Sequence, residues 1–312
     1  MDAHLKAALS AALGREVVSA RAITGGDINR AYELVLVDGQ RFFAKANDRA
    51  QVDDRAPQDE RAPLDDRAQL DDRAQLGMFA AEARGLAWLR EAGALRIPEV
   101  VAVSRPDDAQ QFLVLAFVAT GAPAPDFDEQ LGHGLAALHR HGAPGFGLDH
   151  DNFIGWLPQA NAPTSTWAEF YRTRRLEPLL RRAIDEGLAS SRMRQGFERL
   201  FRALDELVGP VGPPARLHGD LWGGNLICDD RGGPCLIDPA VYGGHREIDL
   251  AMMRLFGGFD ARVFDAYGEA WPLADGHRQR VPLYQLYPLM AHVNLFGGGY
   301  VASVEAALGK LA

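Results

Sequence analysis

The sequence predicts an α+β protein of two lobes, an antiparallel-sheet N-lobe followed by a mainly helical C-lobe. Three observations point that way. Ala31–Val37 alternates like a strand, Asp38-Gly39 is a hairpin turn signal, and Arg41–Ala46 returns as a second strand. A Gly/Pro-rich stretch from Gly121 to Pro125 interrupts the chain after a further strand, Phe112–Val118. From Asp126 onward the apolar spacing is that of helices. At 312 residues the chain can form two lobes, placed here at 1–118 and 119–312.

The elements follow in order. Thr24-Gly25-Gly26-Asp27-Ile28-Asn29 reads as a glycine turn leading into the first strand. Residues 47–76 are five tandem hexads, NDRAQV, DDRAPQ, DERAPL, DDRAQL and DDRAQL. A period of six matches neither helix nor strand, so their few leucines cannot form a buried stripe, and an exposed, disordered insertion is expected. Met78 to Arg90 reads as the one N-lobe helix, closed by Ala92-Gly93. In the C-lobe, Asp126 is a candidate N-cap for a helix with Phe127, Leu131, Leu135 and Leu138 on one stripe. Further helices are expected over Trp167–Glu186, stopped by Gly187, and over Met193–Val208. Leu226–Cys228 and Cys235–Ile237 form a hairpin, and the chain from Ile248 is mostly helical.

Composition excludes several classes. The net charge is -9, but residues 47–76 hold nine acids against five arginines, so the remainder is only mildly acidic. That argues against a nucleic-acid surface. No apolar run approaches a membrane span, and Met1-Asp2-Ala3-His4-Leu5-Lys6 lacks a signal-peptide layout. Two cysteines cannot build a disulfide framework, which fits a cytoplasmic setting, with Cys228 and Cys235 as small buried side chains on one hairpin.

The chemistry begins with Lys45, inside a strand on the same side as Phe43, an awkward place for a lone ammonium. Glu82 falls on the stripe of Phe79, Leu86 and Leu89 and needs a partner of its own. These two residues alone fit either a buried pair or two solvated charges. His218-Gly219-Asp220 is followed by Asn225 in the spacing D-x-x-x-x-N. Phosphoryl transfer needs a carboxylate to accept the proton of the attacking hydroxyl and an oxygen ligand for Mg²⁺, roles that suit Asp220 and Asn225. Asp238 follows an apolar strand and precedes Pro239, where its carboxylate is free to be the second metal ligand. Together with Lys45 and Glu82 upstream, the order resembles the protein-kinase-like fold, with HGD in place of HRD. In that order the turn at Gly25 and Gly26 reads as the loop whose backbone N–H groups cover the ATP phosphates. His218 is expected to brace the catalytic loop. Trp222 is either a core anchor or an aromatic wall for the acceptor. His139, His141, His150, His245 and His292 show no metal-ligand spacing and are expected to be structural.

Several blocks resemble the fructosamine-3-kinase (ketosamine kinase) family. They are HGDLWGGNL from His218, Leu236–Phe259, Asp151–Asn161, Gly25–Tyr32, Met78–Leu89 and Leu283–Tyr300. The resemblance implies ATP-dependent phosphorylation of the sugar 3-hydroxyl of a ketosamine, with deglycation repair as the role and ribulosamines and erythrulosamines as acceptors. It implies that Lys45 contacts the α/β-phosphates, that Glu82 orients it and that Asp249 braces the catalytic loop. Backbone near Ala116, Phe117 and Val118 would hold adenine. The hinge lacks the acidic residue often found there, and Asp27 stands where some members carry a redox-active cysteine. The competing readings are an aminoglycoside or choline kinase of the same fold, and a non-catalytic nucleotide-binding protein.

Overall fold

The computed structural model describes residues 1–23, 29–48, 77–105 and 107–311. Gly25, Gly26 and Asp27, and the hexads beyond Asp48, lie outside the described residues, and so do the expectations placed on them.

The chain opens with a helix that its sequence pattern hides. α1 (Ala3–Leu13) is capped by Asp2, whose carboxylate accepts from Leu5 N, and ends at Gly14 in the left-handed region. Strands β1 (Val17–Ile23), β2 (Arg30–Leu36), β3 (Arg41–Asp48), β4 (Val100–Val103) and β5 (Gln110–Ala116) form one antiparallel sheet in the order β1-β2-β3-β5-β4. Among the described residues the N-lobe has two helices, α1 and one over Met78–Glu91, where one was expected, and β1 ends just before Thr24. β3 also continues past Ala46, since Asn47 and Asp48 pair with Gln111 and Gln110. The first two residues of the hexad segment therefore belong to the sheet.

The two faces of the sheet carry different cores. Ala44, Ala46 and Val114 turn toward Leu5 and Leu9 of α1 in a small apolar cluster. Leu113 and Leu115 turn the other way, toward Phe79, Leu86 and Leu89 of α2 (Met78–Glu91). This second cluster continues into the C-lobe through Leu131, Leu135, Leu221, Leu236 and Leu250. Lys45 pairs with Leu113 and Ala31 in the sheet, and its side chain emerges on the α2 face.

The C-lobe is helical. α3 (Phe127–His141) lies on α8 (Ala261–Ala270), so closely that a Cβ at Gly132 would strike the chain at Val263–Tyr267. Asp126 occupies the N-cap position of α3, but its side chain makes no capping bond. The helix expected over Trp167–Glu186 is interrupted. α4 (Trp167–Phe170) and α5 (Glu177–Asp185) are joined by a π-helical turn over Tyr171–Leu176, which carries the buried Arg175. α6 (Ser191–Leu207), α9 (His277–Phe296) and α10 (Val301–Gly309) complete the main core around Trp167, Phe197 and Tyr284. Short pairs carry the site. β6 (Asn152–Ile154) pairs β7 (Leu157–Gln159), β8 (Ala215–Leu217) pairs β11 (Tyr242–Gly244), and β9 (Leu226–Cys228) pairs β10 (Pro234–Leu236). Cys228 and Cys235 sit on the two arms of the last hairpin as free thiols, and burial pushes the Cys235 thiol up to about 12. α7 (Glu247–Phe256) follows β11. No helix among the described residues is long and apolar enough to cross a membrane.

Candidate active site

The site forms where α2, the end of β3 and two C-lobe loops converge. Gly85 lets α2 lie directly on the segment after Asp238, since a Cβ there would sit 3.1 Å from Val241 and against Pro239. One turn earlier, Glu82 meets Lys45, with Nζ 2.8 Å from Oε1. The same ammonium lies 2.6 Å from Oδ1 of Asp238. Lys45 is only 7% exposed. Burial works against its charge, but the Glu82 and Asp238 carboxylates outweigh it and hold the ammonium well above its ordinary pKa. Burial lifts the Glu82 carboxyl despite the lysine beside it.

Asp238 is the only non-glycine among the described residues with a left-handed backbone, φ 56°. An L side chain there costs on the order of 1 kcal/mol or more. The conformation turns the chain sharply after β10 and leaves the carboxylate facing Lys45 while its carbonyl faces Asn225.

Asn225 ends the loop that begins at His218, in a 3₁₀ turn. Its Nδ2 donates to the Asp220 carboxylate at 3.0 Å, to the Asp220 carbonyl at 2.8 Å and to the Asp238 carbonyl at 3.3 Å. The amide nitrogen is thereby turned inward, and the amide oxygen is the atom suited to a cation. Asp220 is half-buried. Burial pushes its carboxyl up to about 7; the Asn225 hydrogen bond and Lys45 act against this, and the Asp238 and Asp249 charges add to it. A carboxylate poised near neutrality can take a proton from a hydroxyl at physiological pH.

Beneath the loop, Asp249 accepts from His218 N at 2.8 Å and from Gly219 N at 2.9 Å. His139 Nε2 lies 3.2 Å from the same carboxylate, and its Nδ1 is 2.9 Å from the Tyr267 hydroxyl. His218 donates from Nε2 to the Ile237 carbonyl at 3.0 Å and accepts the Asp220 N–H at Nδ1. Both ring nitrogens are used, and burial keeps the ring neutral, so His218 ties its own loop to the Asp238 segment. Gly219 has φ 81°, and a Cβ there would run into the Ala240 carbonyl.

A second support was not legible from the residues as chemistry. Asn152 Nδ2 donates to the Val241 carbonyl at 2.9 Å, and Gln159 Nε2 to the Ala240 carbonyl at 3.2 Å. Asn161 bonds Asn152 at 2.8 Å and receives Arg175 Nη2 at 2.7 Å. The Arg175 guanidinium also lies 3.9 Å from the Tyr242 ring centroid. This buried amide cluster fixes the backbone just after Asp238. In the sequence its amides, Asn152, Gln159 and Asn161, stand scattered among the apolar residues of the Asp151–Asn161 block.

Of the remaining predicted positions, Gly25 and Gly26 lie outside the described residues. Ala116 closes β5, its N–H bonded to Glu99 O at 2.8 Å, and the Phe117 ring lies under the Arg41 guanidinium at 3.9 Å. Val118 follows on the link to the C-lobe, half-buried. Trp222 is 42% exposed, with its ring over Gly224, so it is not a core anchor. The described residues contain no group of three or more His, Cys, Asp or Glu side chains placed to hold a metal. A site of one carboxylate and one amide oxygen instead suits a Mg²⁺ that takes its other ligands from phosphates and water.

Comparison with known proteins gives the family and the fold. The family model described as fructosamine kinase matches residues 68–312. A "Probable ketoamine kinase" of Lactiplantibacillus plantarum is 36% identical over 295 residues, 94% of each chain. The chloroplastic protein-ribulosamine 3-kinase of Arabidopsis thaliana is 35% identical over 233 residues, covering 74% of this chain and 71% of that one. The crystal structure of a Thermobifida fusca protein assigned to the fructosamine-3-kinases superposes with a TM-score of 0.82 at 40% identity, over 98% and 97% of the two chains. An aminoglycoside phosphotransferase, 15% identical with a TM-score of 0.58 over 98% of each chain, shares the bilobal kinase-like fold. The chain belongs to the fructosamine kinase family.

Proposed function

We propose that this protein is an ATP-dependent kinase that phosphorylates the sugar 3-hydroxyl of ketosamines, with ribulosamines and erythrulosamines as the preferred acceptors. The observation that carries the reading is the meeting of Lys45, Glu82 and Asp238 beside the Asp220–Asn225 pair. That constellation serves phosphoryl transfer, and family membership supplies the acceptor class.

Asp220 orients the 3-hydroxyl and takes its proton as the new O–P bond forms and the bond to the ADP leaving group breaks. Lys45, held by Glu82, contacts the α- and β-phosphates. The Asn225 amide oxygen and the Asp238 carboxylate would hold Mg²⁺, which supplies charge neutralisation on the transferred group. The backbone of Ala116, Phe117 and Val118 receives adenine. Trp222 walls the acceptor, while His218 and Asp249 hold the loop. We assign residues 1–118 to the ATP-binding lobe and 119–312 to the catalytic and acceptor lobe. The resulting ketosamine 3-phosphate eliminates and frees the amine, which makes the role one of deglycation repair on small amines or proteins. A cytoplasmic setting, with neither nucleic acid nor membrane as partner, completes the reading.

The test is a product assay with Mg·ATP and four acceptors: ribulosyl-lysine, a fructosamine analogue, choline and an aminoglycoside. Phosphate on the ketosamines is expected. Phosphate on choline or the aminoglycoside alone would contradict the reading.

A further inference from the structure

The sequence Leu-Phe-Gly-Gly occurs twice, at Leu255–Gly258 and Leu295–Gly298. Each phenylalanine is the last residue of a C-lobe helix, Phe256 of α7 and Phe296 of α9. Each is followed by a glycine of positive φ, 73° at Gly257 and 87° at Gly297, where the chain turns out of the helix. Both rings remain in solvent, Phe256 at 38% and Phe296 at 53% exposure. The two helix ends converge on one side chain. The His292 ring centroid lies 4.6 Å from that of Phe256, 5.3 Å from Phe296 and 5.0 Å from Tyr300.

His292 is not a cation in this cluster. Its Nδ1 donates to the Pro288 carbonyl at 2.8 Å, which makes Nε2 the acceptor nitrogen, and burial keeps the ring neutral. The result is a half-open bowl of three aromatic rings around an imidazole, with no formal charge among the four. Its position ties it to the catalytic loop. Gly258, two residues after Phe256, lies against Gly223, where a Cβ would sit 3.4 Å from the Gly258 Cα. Trp222, the exposed ring of the catalytic loop, immediately precedes Gly223. The bowl and Trp222 are thus joined through the contact of Gly223 with Gly257 and Gly258, in the same loop as Asp220 and Asn225.

A ketosamine carries its amine only a few bonds from the 3-hydroxyl. With that hydroxyl at Asp220, the amine and its substituent must leave the site over the surface that adjoins the catalytic loop. Aromatic faces attract an ammonium and bury apolar substituents, and a neutral imidazole nitrogen accepts an N–H.

We propose that Phe256, His292, Phe296 and Tyr300 form the subsite for the acceptor's amine and its apolar or aromatic substituent. The assignment rests on the ketosamine reading above, and it makes the enzyme selective for the amine as well as the sugar. Ketosamines of aromatic or long aliphatic amines are then better ligands than those of small ones.

Isothermal titration separates the two readings, because it does not require turnover. The probes are 1-deoxy-1-benzylamino-ribulose and 1-deoxy-1-methylamino-ribulose, titrated into the wild-type chain, Phe256→Ala and Phe296→Ala, with phosphate transfer followed in parallel. Thermal melts and Mg·ATP binding confirm that each variant is folded. The benzyl compound is expected to bind about 10-fold more tightly than the methyl compound, and both variants to remove that preference. Equal affinities in the wild type, binding of neither compound, or a preference kept in both variants would overturn the subsite. An unchanged preference accompanied by altered sedimentation would make the face a contact between two copies of the chain, and would equally overturn it. A preference that the variants abolish, with no phosphate transferred, would sustain the subsite and remove the kinase reading instead.

Discussion

The two sides of the His218–Asn225 loop, one toward Asp249 in the C-lobe and one toward Lys45 and Asp238, are built by opposite rules. Below the loop, Asp249 is 1% exposed, and its carboxylate is occupied by two backbone N–H groups and a histidine. His218 spends both ring nitrogens on backbone, and Asn152 and Gln159 hold the carbonyls of the next segment. Above the loop, Asp220 is half-buried with a carboxyl lifted to about 7, Asp238 sits on a left-handed backbone, and Trp222 stands in solvent. The lower side is complete without a ligand. The upper side holds the groups that a nucleotide, a cation and an acceptor would satisfy. The difference teaches where strain is tolerated: the cost at Asp238 and Asp220 is met by a base that cannot relax, because its polar groups have fixed partners.

Breaking the lower side should cost stability first. Asp249→Asn replaces one acceptor oxygen with a donor amide facing buried N–H groups, and a loss of about 3 kcal/mol is expected in denaturant unfolding. The sign of its pH dependence follows from the wild-type carboxyl: burial works to raise it, but the bonds from His139 and the backbone together outweigh burial and hold it below its ordinary 3.8. A depressed carboxyl contributes its stability fully above the unfolded value and loses it as pH falls through the folded one. The gap between wild type and variant should therefore be full at neutral pH and close below about pH 4. A gap that stays constant into acid would show that Asp249 is not the ionised brace.

Gly219→Ala tests the same side by shape alone. At φ 81°, with the Ala240 carbonyl where the methyl would go, about 2 kcal/mol or more should be lost, with activity falling as the loop shifts. A variant with wild-type stability and rate would mean that the loop is not pinned against Ala240.

Breaking the upper side should leave stability alone. Trp222→Ala is expected to melt within a few degrees of wild type while kcat/KM for the acceptor falls about 10-fold, mainly through KM. A fall in kcat with KM unchanged would place the ring on the loop's geometry and not against the acceptor.

How much of this was legible in the sequence follows the same division. Asp220, Asn225, Asp238, Lys45 and Glu82 could be read because their chemistry has few other uses at those spacings, and the structure brings all five together. The amide cluster of Asn152, Gln159, Asn161 and Arg175 could not, because its acceptors include the Ala240 and Val241 carbonyls, far away in the chain. α1 escaped because Ala3–Leu13 is alanine-rich, and only Leu5 and Leu9 are buried, too few to mark a stripe. β1 escaped because Val17 alone of its residues is buried, which leaves no alternation to see. The π-helical turn escaped for a different reason: Tyr171–Leu176 keeps a helical composition, and the extra residue per turn shows only when Arg175 is found buried against Tyr242.

The central claim is that Asp220 takes the proton of a ketosamine 3-hydroxyl. Single-turnover transfer from Mg·ATP to a ribulosamine, followed by phosphorus NMR, compares wild type with Asp220→Asn while nucleotide binding is checked by titration. The account predicts a sugar 3-phosphate from the wild type, and from the variant a rate lower by about 10²–10⁴ with nucleotide affinity within a few-fold of wild type. An undiminished rate in the variant, or phosphate on another hydroxyl, would contradict it.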